Sequence, residues 1–211
     1  MVPRETSVEV EPEIAAELFG DRIELARAFT DDLARRGEEL GLIGPLELPR
    51  LWTRHIVNSA LLAPLLSGRV GDVGSGAGLP GIPLAIARPD VSLVLIEPME
   101  RRVAWLEEQR DRLGLDNVQV VRARAEEAPF ERSLDQSTAR AVGALSKLIP
   151  LTARLVRAGG ELLLLKGAAV QDEARKAEKT IAKWRLTDVR VEELGTGMAT
   201  EGTRVFRATV N

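Results

Sequence analysis

The chain has 211 residues, 45% of them apolar, with a formal net charge of −3 and no cysteine. That length and composition support one domain plus an appendage around a substantial core, and they exclude disulfides and thiolate chemistry. No apolar run is long enough to span a membrane, and the mildly acidic balance with only 3% aromatic residues gives no global support for a nucleic-acid binder, so such a role must rest on a local patch.

The opening residues, polar and acidic, have none of the parts of a signal peptide, and a cytoplasmic location is expected. Glu11 to Gly41 reads as helices, because Ile14 and Leu18, then Leu25, Phe29 and Leu33, recur at helical spacing. Gly20-Asp21 interrupts them, and Asp21 is placed to cap the second helix. Gly41 and Gly44-Pro45 end this part. Leu46 to Leu66 is a second helical stretch, carrying Arg50, Trp52, Arg54 and His55. Residues 1–68 thus form an N-terminal helical extension, and residues 69–211 a second unit.

Within the second unit strands and helices alternate. Val70 to Val73 is a strand and Ile82 to Ala87 a helix; Val91 to Glu97 is a buried strand and Met99 to Leu113 a long helix. Val118 to Arg122 is a third strand, followed by at most a short helix at Glu126 to Ala128. Ser137 to Val142 is a weaker fourth strand, Leu145 to Arg157 a helix with Gly159-Gly160 as its C-terminal signal, and Glu161 to Lys166 a fifth strand. An amphipathic helix, Val170 to Trp184, precedes two alternating strands, Thr187 to Leu194 and Thr203 to Val210, which have no helix between them and read as an antiparallel hairpin. The pattern is α/β: a mostly parallel sheet covered on both faces, with its ligand site at the carboxyl ends of the strands near the switch point.

The glycine-rich turn Asp72 to Gly81 lies where such a site belongs. Two registers fit it. Gly76 to Gly81 satisfies G-x-G-x-x-G, and Gly74, Gly76 and Gly78 satisfy G-x-G-x-G. Counting from the strand end, Leu79 stands where a dinucleotide binder wants a third glycine, so a ligand without a pyrophosphate suits the turn better. The bland alternative is a loop that serves only strand-to-helix geometry. Glu97 ends the second strand, where a carboxylate can accept both hydroxyls of an adenosine ribose or simply face water. Ala125 and Glu126 follow the third strand, where an amide and a carboxylate could read an adenine edge, or merely start a helix. Arg140, near the end of the fourth strand, either faces the pocket or pairs with a buried acid. His55 is the only histidine, and a lone histidine is more often structural than a base. Lys166 ends the fifth strand beside the pocket mouth, or stands there as a solvated lysine. The arginines from Arg101 to Arg124 are interleaved with acids and read as a helix surface rather than an RNA patch.

Asp72 to Asp90, with its Leu79-Pro80-Gly81-Ile82-Pro83 continuation, resembles the cofactor motif of the bacterial 16S rRNA (guanine-N7) methyltransferase G family, also called glucose-inhibited division protein B. Arg54-His55-Ile56-Val57-Asn58-Ser59, the segment Glu97 to Leu106, Arg122 to Glu127, Thr138 to Ala141, and Leu165-Lys166-Gly167 follow in the family's order. The resemblance runs from about Leu51 to Gly167. It implies a Rossmann-like class I methyltransferase fold with a seven-stranded sheet, S-adenosylmethionine as cofactor, and methylation of a guanine N7 in helix 18 of 16S rRNA in the small ribosomal subunit. It implies cofactor contacts at Gly74, Leu79, Ala125, Glu126 and Arg140, with Gly76 and Gly78 in the same turn; Glu97 follows by general methyltransferase analogy. Gly143-Ala144-Leu145-Ser146 departs from the family, which often has an acidic residue there.

Guanine N7 has an exposed lone pair and needs no deprotonation, so no nucleophile, metal or acid–base dyad is expected. His55, Arg140 and Lys166 are candidates for the RNA-facing side. A monomer without metal or membrane association is the simplest expectation. A small-molecule methyltransferase, a nicotinamide-dependent oxidoreductase and a non-catalytic binding module stand as alternatives.

Overall fold

The structure is a computed structural model and describes residues 7–140, 143–198 and 202–211. Seven strands, β1 (Arg69–Val73), β2 (Ser92–Ile96), β3 (Val118–Val121), β4 (Leu134–Arg140), β5 (Val156–Lys166), β6 (Thr187–Leu194) and β7 (Thr203–Thr209), form one sheet in the order β3-β2-β1-β4-β5-β7-β6. The first five are mutually parallel along the sheet, and β7 runs antiparallel between β5 and β6. From β1 the chain proceeds outward through β2 to β3, then returns to lay β4 on the other side of β1. That reversal opens a crevice beyond the carboxyl ends of β1 and β4, the place where open α/β sheets hold ligands.

Alternation along the strands divides the core in two. Leu93, Leu95, Leu163 and Leu165 point into one hydrophobic cluster, and Val94, Ile96, Leu162 and Leu164 into the other, as the two-residue period of a strand requires. The first cluster is covered by α1 (Ile14–Phe19), α2 (Ile23–Arg36), α3 (Asn58–Ala60), α4 (Gly81–Ala87) and α5 (Glu100–Arg112), the second by α6 (Leu145–Ala153), α7 (Val170–Lys176) and α8 (Glu178–Lys183). Phe29 and Leu33 of α2 are fully buried in the same cluster as Val70 and Leu93 of the sheet. Burial of such a side chain is worth roughly 1.5–3 kcal/mol, so the N-terminal helices are part of the sheet's own core. A buried carboxylate fastens them further: Asp32 on α2 accepts from Gln109 Nε2 of α5 at 2.7 Å and pairs with Arg35 and Arg36.

Several expected boundaries move. Asp21 lies inside a 3-10 turn, Gly20–Arg22, and makes no cap. The stretch from Leu46 is a succession of 3-10 turns with a π-helical turn, Leu51–Val57, leading into α3. Residues 126–128 are turn rather than helix. The fourth strand starts at Leu134, three residues before the expected Ser137. Its start is masked in sequence by two polar residues, which the fold uses: Asp135 Oδ2 accepts the Arg69 N–H at 2.7 Å, and Gln136 Oε1 accepts the Ser67 N–H at 2.8 Å. The expected end of that strand, at 141–142, lies outside the described residues. Helix α6 stops at Ala153, and Gly159-Gly160 lies within β5, where pairing with β4 jumps from Leu134–Val156 to Gln136–Glu161. A Cβ on Gly160 would overlap the Asp135 carbonyl, so the glycine serves a bulge and not a helix cap. The last long helix divides at Ala177 into α7 and α8.

Candidate active site

Strand β1 delivers Asp72 and Val73 to the crevice, and the chain then turns through Gly74, Gly76 and Gly78, all with positive φ. Gly74 N–H donates to the Ile96 carbonyl at 2.9 Å, which pins the turn to the end of β2. Asp72 is fully buried; its Oδ2 accepts the Gly81 N–H at 3.1 Å, while Oδ1 has no hydrogen-bond partner among the described residues. Burial pushes its carboxyl up to about 7, against the opposing pull of the Gly81 amide and the Arg140 charge.

A cavity of about 540 Å³ opens beside this turn, and Gly74, Gly76, Leu79, Glu97, His55 and Arg140 all line it. Six residues nominated from sequence thus meet in one place. Glu97 is 2% exposed; its Oε2 accepts the Gly76 N–H at 2.9 Å and its Oε1 the Met99 N–H at 3.0 Å. A carboxylate has roughly four acceptor positions, so lone pairs remain for a ligand. Gly78 is not part of the cavity wall: it faces Ile82 of α4 and Leu106 of α5, where a side chain would not fit. Ala125 and Glu126 do not line it either. Ala125 is buried, with its carbonyl held by Arg154 Nη1 at 2.6 Å, and Glu126 is exposed.

Leu42, Ile43, Met99 and Arg102 also line the cavity and were not singled out from sequence. Met99 and Arg102 stand at the start of α5, so the signal available was their closeness to Glu97. Leu42 and Ile43 come from the loop after α2, which nothing in their local pattern marks.

A second cavity, of about 370 Å³, lies on the other side of His55 and Arg140 and is bounded by Arg50, Arg54, Lys166 and Arg204. His55 and Arg140 line both spaces. The imidazole Nδ1 is 2.9 Å from Arg140 Nη2, and Nε2 is 2.6 Å from Glu47 Oε2. Burial, and then the Arg140 charge, holds His55 below its ordinary pKa. Burial also lowers Arg140, to about 10, so it stays a cation at neutral pH. Glu47 is held below the usual carboxylate range: burial would raise it, but the His55 hydrogen bond and the neighbouring cations outweigh that.

Lys166 ends β5 on the rim of the second cavity, as expected, but it is not a solvated lysine. Its ammonium is 2.7 Å from Glu173 Oε2 and donates to the Gly143 carbonyl at 2.7 Å, with a side chain only 8% exposed. Its ammonium is already engaged, tying Gly143 to Glu173 of α7. Among the described residues, no group of three or more His, Asp or Glu could hold a metal ion, and no helix is long and apolar enough to cross a membrane.

The chain superposes on an S-adenosylmethionine-dependent O-methyltransferase from Thermotoga maritima with a TM-score of 0.56 at 18% identity, over 74% of this chain and 65% of that one. It superposes on a geranyl diphosphate methyltransferase in complex with S-adenosylmethionine with a TM-score of 0.57 at 15% identity, over 79% and 88% of the two chains. The fold is that of the class I S-adenosylmethionine-dependent methyltransferases. Residues 22–201 match the family GidB, rRNA small subunit methyltransferase G, and the chain belongs to that family. Ribosomal RNA small subunit methyltransferase G of Clavibacter sepedonicus is 66% identical over 210 residues, 99% of this chain and 100% of the relative. The proteins of the same name from Leifsonia xyli and Corynebacterium glutamicum are 65% and 44% identical, over 97% of this chain and 98% and 94% of their own lengths.

Proposed function

We propose that this enzyme transfers a methyl group from S-adenosylmethionine to N7 of a guanine in helix 18 of 16S rRNA, within the small ribosomal subunit, as a cytoplasmic monomer. The observation that carries the reading is the pair of cavities sharing one wall, His55 and Arg140. One side is an acid-bearing pocket on the glycine turn; the other is rimmed by Arg50, Arg54 and Arg204.

The residues of the first cavity fit the donor. About 540 Å³ is in the range of small-molecule sites, Glu97 has lone pairs available for ribose hydroxyls, and Asp72 Oδ1 is buried with no hydrogen-bond partner among the described residues. Gly74 and Leu79 are assigned to the turn that cradles the donor; Ala125 and Glu126, which the family resemblance puts at the adenine edge, stand outside the cavity wall and reach the donor only if the loop after β3 closes toward it. Gly78 supports that turn from behind.

When bound, the donor supplies an electrophilic methyl on a sulfonium: the N7–carbon bond forms as the carbon–sulfur bond breaks, and the positive charge passes to the guanine ring. N7 has its lone pair available, so the protein has no proton to remove. Its task is alignment, which in well-oriented systems contributes on the order of 7–11 kcal/mol. Arg50, Arg54 and Arg204 are placed to hold RNA phosphates, and Arg140 to face the base at the shared wall.

Labelled donor supplied with small subunits lacking the modification, with free 16S rRNA and with a mixed metabolite pool tests the reading. Label is expected in the small subunit, on guanine N7; label in the metabolites alone overturns it. Arg50→Ala is expected to lower the salt slope of RNA binding by roughly 0.7–0.9, and an unchanged slope removes the basic cavity from RNA contact. Sedimentation as a dimer at working concentrations would remove the monomer from the proposal.

A further inference from the structure

His55 stands between two groups that each dictate one of its ring nitrogens. The guanidinium of Arg140 has only protons to give, so at 2.9 Å the His55 Nδ1 accepts. The carboxylate of Glu47 has only lone pairs, so at 2.6 Å the Nε2 carries the proton and donates. A second proton on the ring would set N–H against N–H at Arg140. The His55 side chain is 11% exposed, and its main chain is held as well, since Ser59 Oγ donates to the His55 carbonyl at 2.5 Å. The charged groups around the imidazole come from three places: Glu47 from the 3-10 turn Pro45–Arg50, Arg54 from the π-helical turn, and Arg140 from the end of β4.

A histidine in this state has neither lone pair nor proton to offer a substrate, so it is no general base. What it does control is Arg140. Among the described residues that guanidinium is held by two hydrogen bonds, to His55 Nδ1 and to the Arg54 carbonyl at 3.2 Å. Of its five N–H groups, these leave donors for ligands on either side of the shared wall. Without the Nδ1 lone pair only the longer of the two bonds would remain.

We propose that His55 is a positioning residue: locked as the neutral Nε2–H tautomer by Glu47, it uses Nδ1 to set the Arg140 guanidinium as the septum at which donor and target base meet. The idea rests on the methyl-transfer reading of the two cavities, and the lowered pKa of the ring agrees with it.

Because the chain has a single histidine, the tautomer can be read directly from untagged protein labelled with nitrogen-15 in histidine. The expected spectrum at pH 7 shows Nε2 protonated and Nδ1 bare. A proton on Nδ1, or a doubly protonated ring, overturns the proposal whether or not any variant folds. Two substitutions test the consequence. His55→Asn places Oδ1 where Nδ1 accepts from Arg140; His55→Gln keeps a donor for Glu47 but offers Arg140 nothing. The Asn variant is expected to bind S-adenosylhomocysteine and methylate small subunits within about threefold of the parent. The Gln variant is expected to lose at least about tenfold, a cost of about 1.4 kcal/mol. A Gln variant equal to or better than the Asn variant overturns the proposal. If S-adenosylhomocysteine affinity follows the expected order while no label enters small subunits, the positioning role stands and the rRNA reading falls.

Discussion

Glu97 and Gly76 are 21 residues apart in sequence, yet the carboxylate of the first accepts the backbone N–H of the second at 2.9 Å in the wall of the first cavity. The other carboxylate oxygen takes the Met99 N–H. One side chain therefore holds both the glycine turn and the entry to α5 while lining the cavity. Glu97→Gln keeps the shape but turns an N–H toward one of two N–H donors. Hydrogen bonds to charged groups are worth about 1.5–3 kcal/mol, so affinity for S-adenosylhomocysteine should fall by roughly 10- to 150-fold in a calorimetric titration. Unchanged affinity would remove Glu97 from the site.

Gly81→Ala should destabilise the protein through the same region. A Cβ there would overlap Leu95 Cδ2 and lie 2.7 Å from Asp72 Oδ2. Overpacking a close-packed site typically costs about 1–3 kcal/mol, and the Gly81 N–H to Asp72 bond would be displaced with it. Urea unfolding should show a lower midpoint with an unchanged slope. A variant as stable as the parent would mean that α4 can move away from β2 without cost.

The sheet and the glycine turn were legible because they repeat short-range rules. Leu93 to Ile96 is a continuous apolar run, and the structure buries both of its faces. The last two strands have no room for a helix between them, and they pair antiparallel. The contacts that define the site are of another kind. Glu47 lies eight residues before His55 in a stretch broken by Pro49, and no periodicity connects the two. Lys166 meets Glu173 only because α7 folds back over the end of β5. Ala125 and Glu126 were placed by their order along the chain, which carries no information about how far the loop after β3 stands from the cavity. Asp135 and Gln136 hid the start of β4, since polarity argues against a buried strand until backbone partners are known. Periodicity reports burial; it does not report which side chain on one loop meets which on another.

Asp72 should make the protein less stable as pH rises. Its folded pKa, about 7, is above the unfolded 3.8, so the folded state holds the proton more tightly. The stabilisation from that proton is complete below pH 3.8 and is lost on the way up through pH 7. Asp72→Asn removes this term. Comparing the two proteins by urea unfolding at pH 5, 6, 7 and 8, the variant should gain on the parent by an amount of the order of a few kcal/mol. The opposite trend from His55, whose depressed pKa costs stability as pH falls below 6.5, is common to both proteins and cancels. A difference that stays flat with pH would show that Asp72 is ionised throughout.

Asp32 is 1% exposed, and Gln109, which donates to it, is fully buried. Asp32→Ala would leave that amide without its acceptor and three arginines, Arg35, Arg36 and Arg112, without their shared anion. The arginines can turn to water; the amide cannot. A loss of about 2–4 kcal/mol is expected, measured as a fall in the urea midpoint. Burial raises the Asp32 pKa, but its hydrogen bonds and the arginines outweigh this and leave it below 3.8. Its contribution should therefore persist above pH 3.8 and disappear in acid.

The wall formed by His55 and Arg140 bears on the order in which the two proposed ligands bind. Leu42, Ile43 and Met99 border one cavity, and Arg50, Leu165 and Arg204 border the other. On the proposed assignment of donor to the first cavity and RNA to the second, the donor would be exchanged without passing through the RNA side. Neither ligand then has to arrive first. S-adenosylhomocysteine should inhibit by competing with the donor alone, equally at low and at saturating subunit, and inhibition that deepens with subunit concentration would mean that the RNA seals the donor in.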